Sequence, residues 1–241
     1  MPKAARVRPR ALDAENDLVA YKGTGQSRPL PSWSESMCEN AWMVTPTTRL
    51  SGRLQFPISG GSALCNDVRS RGFESFEDLA EHVRKLPYGR TANTDEPLAV
   101  LRQGRGTCSA KHQLLATVAH DCGHSELQLT VGIYEMSEDN TPGVGAVLNE
   151  DSLTSIPEAH CYLSIEGERF DFTGLPGGRS SPFAALLAEY AVSPTNLSQV
   201  KSGIHKEAIA AWASNRGISK EAAWATREAC ISVLAAKSAI D

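Results

Sequence analysis

No stretch of this 241-residue chain is apolar enough, for long enough, to cross a bilayer. The opening MPKAARVRPR lacks the apolar middle of a secretory signal. Asp13, Glu15 and Asp17 follow at once, which argues against a transit peptide too. A surplus of positive charge is also missing. The net charge is −4 and the pI near 5.9, so no broad cationic field invites nucleic acid or an anionic membrane. Internal repeats and low-complexity blocks are absent. These absences lead us to expect a cytoplasmic protein whose partners include neither nucleic acid nor membrane.

Paired Cys-x-x-Cys motifs are missing as well. The six cysteines are Cys38, Cys65, Cys108, Cys122, Cys161 and Cys230. The count is even, yet a chain with 41% apolar residues builds its core without disulfide staples. Cys122, Cys161 and Cys230 are expected as small buried apolar residues. His120, Cys122 and His124, with Cys108 and His112, suggest zinc at first glance. Their spacing is poor: on one helix His120 points away from the Cys108–His112 face, and no metal is expected. No cofactor is expected either.

What the chain does have is a clear order of elements. Residues 1–40 read as an irregular arm, rich in turn formers such as Pro29 and Pro31. Residues 41–60 hold short apolar runs that are strand or loop. Phe76, Leu79, Ala80, Val83 and Leu86 recur at helical spacing, with Ser75 placed to cap the helix and Pro87 to end it. A second helix runs from about Cys108 to Asp121. Glu126 to Met136 alternates like a strand. Residues 137–155 form a long polar loop, a candidate lid. His160 to Ile165 and Arg169 to Phe172 read as strands joined at Glu166-Gly167. Ser181-Pro182 looks like the cap and first residue of a helix reaching about Val192. Two more helices are expected at about 203–214 and 220–237.

Three residues in this order carry chemistry. Cys108 follows Gly104-Arg105-Gly106-Thr107 and heads a helix, where free N–H groups and the positive end of the dipole stabilise a thiolate. The same N–H groups suit the oxyanion of an acyl-transfer transition state, and the glycines leave room for a substrate backbone. His160 leads a strand after the long loop. A two-residue turn at Glu166-Gly167 pairs Ile165 with Glu168 and sets Tyr162 opposite Asp171. His160 and Asp171 then share a face as diagonal neighbours, about 7–8 Å apart in backbone. A slip of one residue would separate them. His112, one turn after Cys108, is a rival base or, more simply, a neighbour that supports the site.

These segments, Gly104 to His112, Glu158-Ala159-His160-Cys161-Tyr162 and Arg169 to Thr173, together resemble the transglutaminase-like superfamily. The resemblance covers about residues 75–175. It implies an α+β, papain-like core with the nucleophile at a helix N-terminus packed on an antiparallel sheet. We expect that core to span 41–178, and the helices beyond it, which the resemblance does not cover, to form a C-terminal extension over 179–241 packed on the core. It implies Cys108 as nucleophile, His160 as base and Asp171 as the orienting acid, acting on a protein, peptide or small amide. Gln103 is a candidate oxyanion donor, and Gly106, Thr107 and His112 complete the expected substrate-binding set. Hydrolysis and transfer to an amine both fit this chemistry, as does acyl transfer like that of the arylamine N-acetyltransferases. A non-catalytic protein-binding scaffold is the alternative from another class. Ser109 departs from the pattern, since an aromatic often follows the nucleophile in transglutaminases.

Overall fold

A computed structural model describes residues 52–93 and 95–238. The expected arm over 1–40, and residues 41–51 of the following segment, lie outside the described residues. The described chain is α+β, with a four-stranded antiparallel sheet in the order β3-β2-β1-β4. Its strands are β1 (Gln128–Met136), β2 (Ile156–Ile165), β3 (Glu168–Phe170) and β4 (Leu186–Val192). The helices are α1 (Ala63–Ser70), α2 (Phe76–Lys85), α3 (Ala99–Gln103), α4 (Cys108–Asp121), α5 (Gly145–Glu150), α6 (Leu197–Ser214) and α7 (Lys220–Lys237). Among the described residues no helix is long and apolar enough to cross a membrane.

Strand register divides the interior in two. Leu129 pairs with Leu163, Val131 with Cys161 and Ile133 with Ala159. Residues two apart on a strand share a face, so these six form one apolar surface. Leu114, Leu115 and Val118 of α4 and Phe76, Leu79 and Val83 of α2 pack in the same cluster. On the other face Tyr134, Met136 and Ile156 meet Ile209 and Trp212 of α6 and Ile231 and Leu234 of α7.

Local signals explain most of the elements. Ser75 accepts from Asp78 N at the head of α2, as Ser219 does from Ala222 N at the head of α7. At the β2–β3 turn Glu166 has φ 49° and Gly167 φ 89°. Two left-handed residues in a two-residue loop match the twist of an antiparallel pair. The turn pairs Ile165 with Glu168, Ser164 with Arg169 and Leu163 with Phe170.

Two expectations need correction. Ser181-Pro182 opens only one 3-10 turn, Pro182–Ala185, and Leu186–Val192 is then a strand rather than a helix. The helix formers Leu186, Leu187, Ala188 and Glu189 are overruled by pairing with β1, Leu129 to Val192 through Gly132 to Glu189. The segment 179–241 is therefore not all helical, and a core ending at 178 would exclude a strand of its own sheet. The loop 137–155 contains α5, whose Leu148 is buried with Val144 in the second core. Asn140 Nδ2 donates to Glu135 O at 2.8 Å and the Thr141 hydroxyl lies 3.0 Å from Tyr134 Oη. The segment is anchored to the sheet end rather than suspended over it.

Candidate active site

Thr107 caps α4 in extended conformation, accepting from Ala110 N at 3.4 Å, while Lys111 N donates to Thr107 O at 3.0 Å. The Cys108 and Ser109 N–H groups come first in the helix and have no carbonyl one turn back to bond. Cys108 is buried, 4% exposed. Gly106 is buried beneath it. A Cβ there would lie 3.0 Å from Lys111 Cγ and 3.3 Å from Val100 Cγ2. The glycine permits the close packing of α3 on α4.

His160 sits on β2 opposite Gly132. A Cβ at Gly132 would approach Tyr162 Oη to 2.8 Å, so the gap in the sheet face is filled by the Tyr162 ring. The imidazole is ringed by Tyr134 (6.1 Å), Tyr162 (6.0 Å) and Phe183 (6.3 Å). Its Nε2 meets Asp171 Oδ2 at 2.7 Å. The other Asp171 oxygen accepts from Thr173 N at 2.8 Å. Asp171 follows directly on β3, and continuing the hairpin register sets it diagonal to His160.

Cys108 and His160 stand near enough for each to shift the other's titration. With Nε2 held by the carboxylate, Nδ1 is the ring nitrogen left for sulfur. Burial alone would lower the His160 pKa, but the Asp171 charge, its hydrogen bond and the Cys108 sulfur raise it to about 10. The Cys108 pKa falls well below the usual thiol range. A hydrogen bond from the Cys161 thiol is the largest cause, burial opposes it, and Lys201 and His160 add to the lowering. Burial opposes the Asp171 carboxylate too, yet the His160 charge and hydrogen bond hold it ionised. The electrostatics therefore favour a thiolate–imidazolium pair over two neutral groups.

His112 is a brace. Its ring is fully buried, with Nδ1 2.8 Å from Cys108 O and Nε2 accepting from Phe172 N at 2.8 Å. Those partners fix Nδ1–H as the neutral tautomer, and burial depresses its pKa to about 4. Both nitrogens are committed, which leaves none for substrate. Gln103 ends α3 on the exposed surface, and its Oε1 accepts from Ala92 N at 3.0 Å. Its side chain serves the 88–93 loop.

Sequence reasoning missed Lys201 of α6, whose Nζ stands 3.6 Å from Cys108 Sγ and 2.7 Å from Ser109 Oγ. It also read Cys161 only as a core residue. Cys161 is fully buried, but its Sγ donates to Ser109 Oγ at 3.5 Å, and it is the largest influence lowering the Cys108 pKa. Behind His160, Glu158 is held by Arg227 of α7 at 2.5 and 2.7 Å, both side chains buried. No local pattern announces any of these partners, which come from β2, α6 and α7.

Elsewhere, His120 Nε2 bonds Leu127 O at 3.2 Å and His124 Nδ1 lies 3.0 Å from Glu126 Oε1. No group of three or more His, Cys, Asp or Glu among the described residues is arranged to hold a metal. A surface hollow lined by Arg53, Phe56, His124, Glu126 and Glu166 lies by the C-terminal end of α4. At 1.5 Å per residue that end is about 20 Å from Cys108, so the hollow is separate from the thiol. Comparison with models of known families, with curated proteins and with solved structures finds no match to this chain.

Proposed function

We propose that the protein is a cysteine-dependent acyl-transfer enzyme of papain-like, transglutaminase-like design, acting on an amide through Cys108, His160 and Asp171. One observation carries this: a thiol at the head of a helix is coupled electrostatically to an imidazole whose Nε2 is held at 2.7 Å by a half-buried, ionised carboxylate. That is the working arrangement of a nucleophile, a base and the group that fixes the base's tautomer.

The chemistry follows from the charges. The Cys108 thiolate attacks the carbonyl carbon, and the C=O electron pair moves onto oxygen beside the first N–H groups of α4. As the C–N bond breaks, the imidazolium of His160 gives its proton to the departing amine. The thioester left on Cys108 is then opened by water or by a second amine, whose proton returns to His160. Asp171 stays ionised throughout and keeps the ring in place.

The test is a burst assay with an activated ester, followed by intact-mass detection of the acyl-protein. A stoichiometric acyl adduct on Cys108, lost in Cys108→Ala, is the expected result. Adding an amine acceptor separates transfer from hydrolysis. A thiol with ordinary reactivity and no adduct would leave the chain a non-catalytic scaffold and overturn the proposal.

A further inference from the structure

Among the described residues, Lys201 is the cation whose ammonium is hydrogen-bonded beside the Cys108 sulfur from outside the Cys-His-Asp set. Its Nζ donates to Ser109 Oγ at 2.7 Å and lies 3.6 Å from Cys108 Sγ. The serine after the nucleophile, the residue that departs from the transglutaminase pattern, is thus what orients the ammonium. Lys111, also turned inward, donates its ammonium to Leu86 O at 2.6 Å and Thr173 O at 2.7 Å instead.

We propose that Lys201 is a fourth catalytic residue, a cationic partner of the Cys108 thiolate that follows the negative charge onto the carbonyl oxygen during acyl transfer. The inference rests on the acyl-transfer assignment above. Its need is visible in the charge balance. Ionised Cys108 and Asp171 face the His160 imidazolium, and Lys201 brings a further positive charge to the sulfur itself, while Lys111, which also acts on both anions through space, spends its N–H groups on backbone carbonyls. Glu158, next along β2, is already answered by Arg227. The remaining titratable neighbours, Cys161 of β2, Tyr134 of β1 and Tyr88, are held in their uncharged forms by burial. The thiolate in turn raises the Lys201 pKa against the effect of burial, so the ammonium persists.

The step balances without further reagents. The sulfur lone pair forms the C–S bond and the carbonyl π pair becomes an oxyanion. Lys201 donates a hydrogen bond to it from an N–H not used by Ser109, keeping its proton. When the oxygen pair returns, the C–N bond breaks and His160 supplies the proton to the amine. This role is the one expected of Gln103, whose side chain is engaged at Ala92. An ammonium serves it more strongly because the bond is charge-assisted.

The experiment measures Cys108 alkylation across pH by iodoacetamide, located by mass spectrometry, together with the iodoacetate-to-iodoacetamide rate ratio at pH 7. Lys201→Met is expected to raise the alkylation midpoint by roughly one pH unit, about a tenfold loss of thiolate at pH values below it, and to lower the rate ratio several-fold. Lys201→Arg is expected to keep both near the parent values. Ester turnover in Lys201→Met should lose kcat more than it gains KM. A folded Lys201→Met with unchanged midpoint and ratio overturns the proposal. Should that variant fail to fold, Ser109→Ala, which removes only the hydroxyl that orients the ammonium, must raise the midpoint, and an unchanged midpoint there overturns it equally. A midpoint that responds to His160→Ala but not to Lys201→Met refutes Lys201 alone. An ordinary thiol indifferent to His160→Ala refutes the acyl-transfer assignment itself.

Discussion

Phe172 N donates to Nε2 of His112 at 2.8 Å, and through that ring the strand end that carries Asp171 is tied to the carbonyl of Cys108. The helix headed by Cys108 and the strand end that carries Asp171 are therefore fixed to each other by one buried side chain. His112→Ala leaves the Phe172 N–H without its partner and opens a cavity. A loss of about 3 kcal/mol is expected, measured by urea unfolding. The sign of its pH dependence is set by the depressed pKa. The neutral ring stabilises the fold fully above about pH 6.5, and that contribution is lost as pH falls toward about 4. His112→Ala should lack this part of the acid slope.

His160 behaves oppositely. Its pKa is raised from 6.5 to about 10, so its stabilisation is complete below about pH 6.5 and disappears as pH climbs to about 10. Asp171, held below its ordinary value, contributes above that value and loses its effect in acid. Asp171→Asn removes the attraction behind both. The urea midpoint of the parent protein should fall between pH 7 and 10, and that of Asp171→Asn should fall less. Acyl turnover in the variant is expected to drop by about 10²–10⁴.

Selective labelling should separate the cysteines. Burial raises the pKa of Cys65, Cys161 and Cys230, while Cys108 is lowered. At pH 6 iodoacetamide should modify Cys108 before any of those three, as read by peptide mapping. Labelling of Cys65 ahead of Cys108 would contradict the electrostatics of the site.

How much of this was legible beforehand depends on the range of the signal. The head of α4 was announced within a few residues, by the Gly-rich turn that precedes Cys108. The β2–β3 register followed from two turn residues, Glu166 and Gly167, and that register places His160 beside Asp171. Strand β4 was misread because Ser181-Pro182 imitates a helix start and Leu186 to Ala191 favour helix locally. What decides them is β1, more than fifty residues upstream. Lys201 and the Glu158–Arg227 pair were invisible for the same reason. A lone lysine on a helix carries no mark of the sulfur it will face.

The Glu158–Arg227 pair joins β2 to α7 inside the second core. Removing one member strands a buried charge. Arg227→Ala is expected to cost about 3–5 kcal/mol. Replacing both, Glu158→Leu with Arg227→Met, should cost clearly less. Chemical denaturation of the singles and the double gives the coupling directly.

Gly174 has φ +76° and its missing Cβ would stand 1.9 Å from Arg84 O. Backbone cannot yield as a side-chain tip does. Gly174→Ala should therefore destabilise by more than about 2 kcal/mol and displace Asp171, three residues earlier. Turnover should fall with stability, and raising the substrate concentration should not restore it.

The ammonium that faces Cys108 belongs to a residue made ninety-three positions later in the chain, and the guanidinium that answers Glu158 comes later still. During translation the helix bearing the thiol can leave the ribosome well before either cation exists. A nascent chain halted ahead of α6 thus carries a sulfur less acidic than that of the finished protein, and it gains its full reactivity only when the last two helices close over β2.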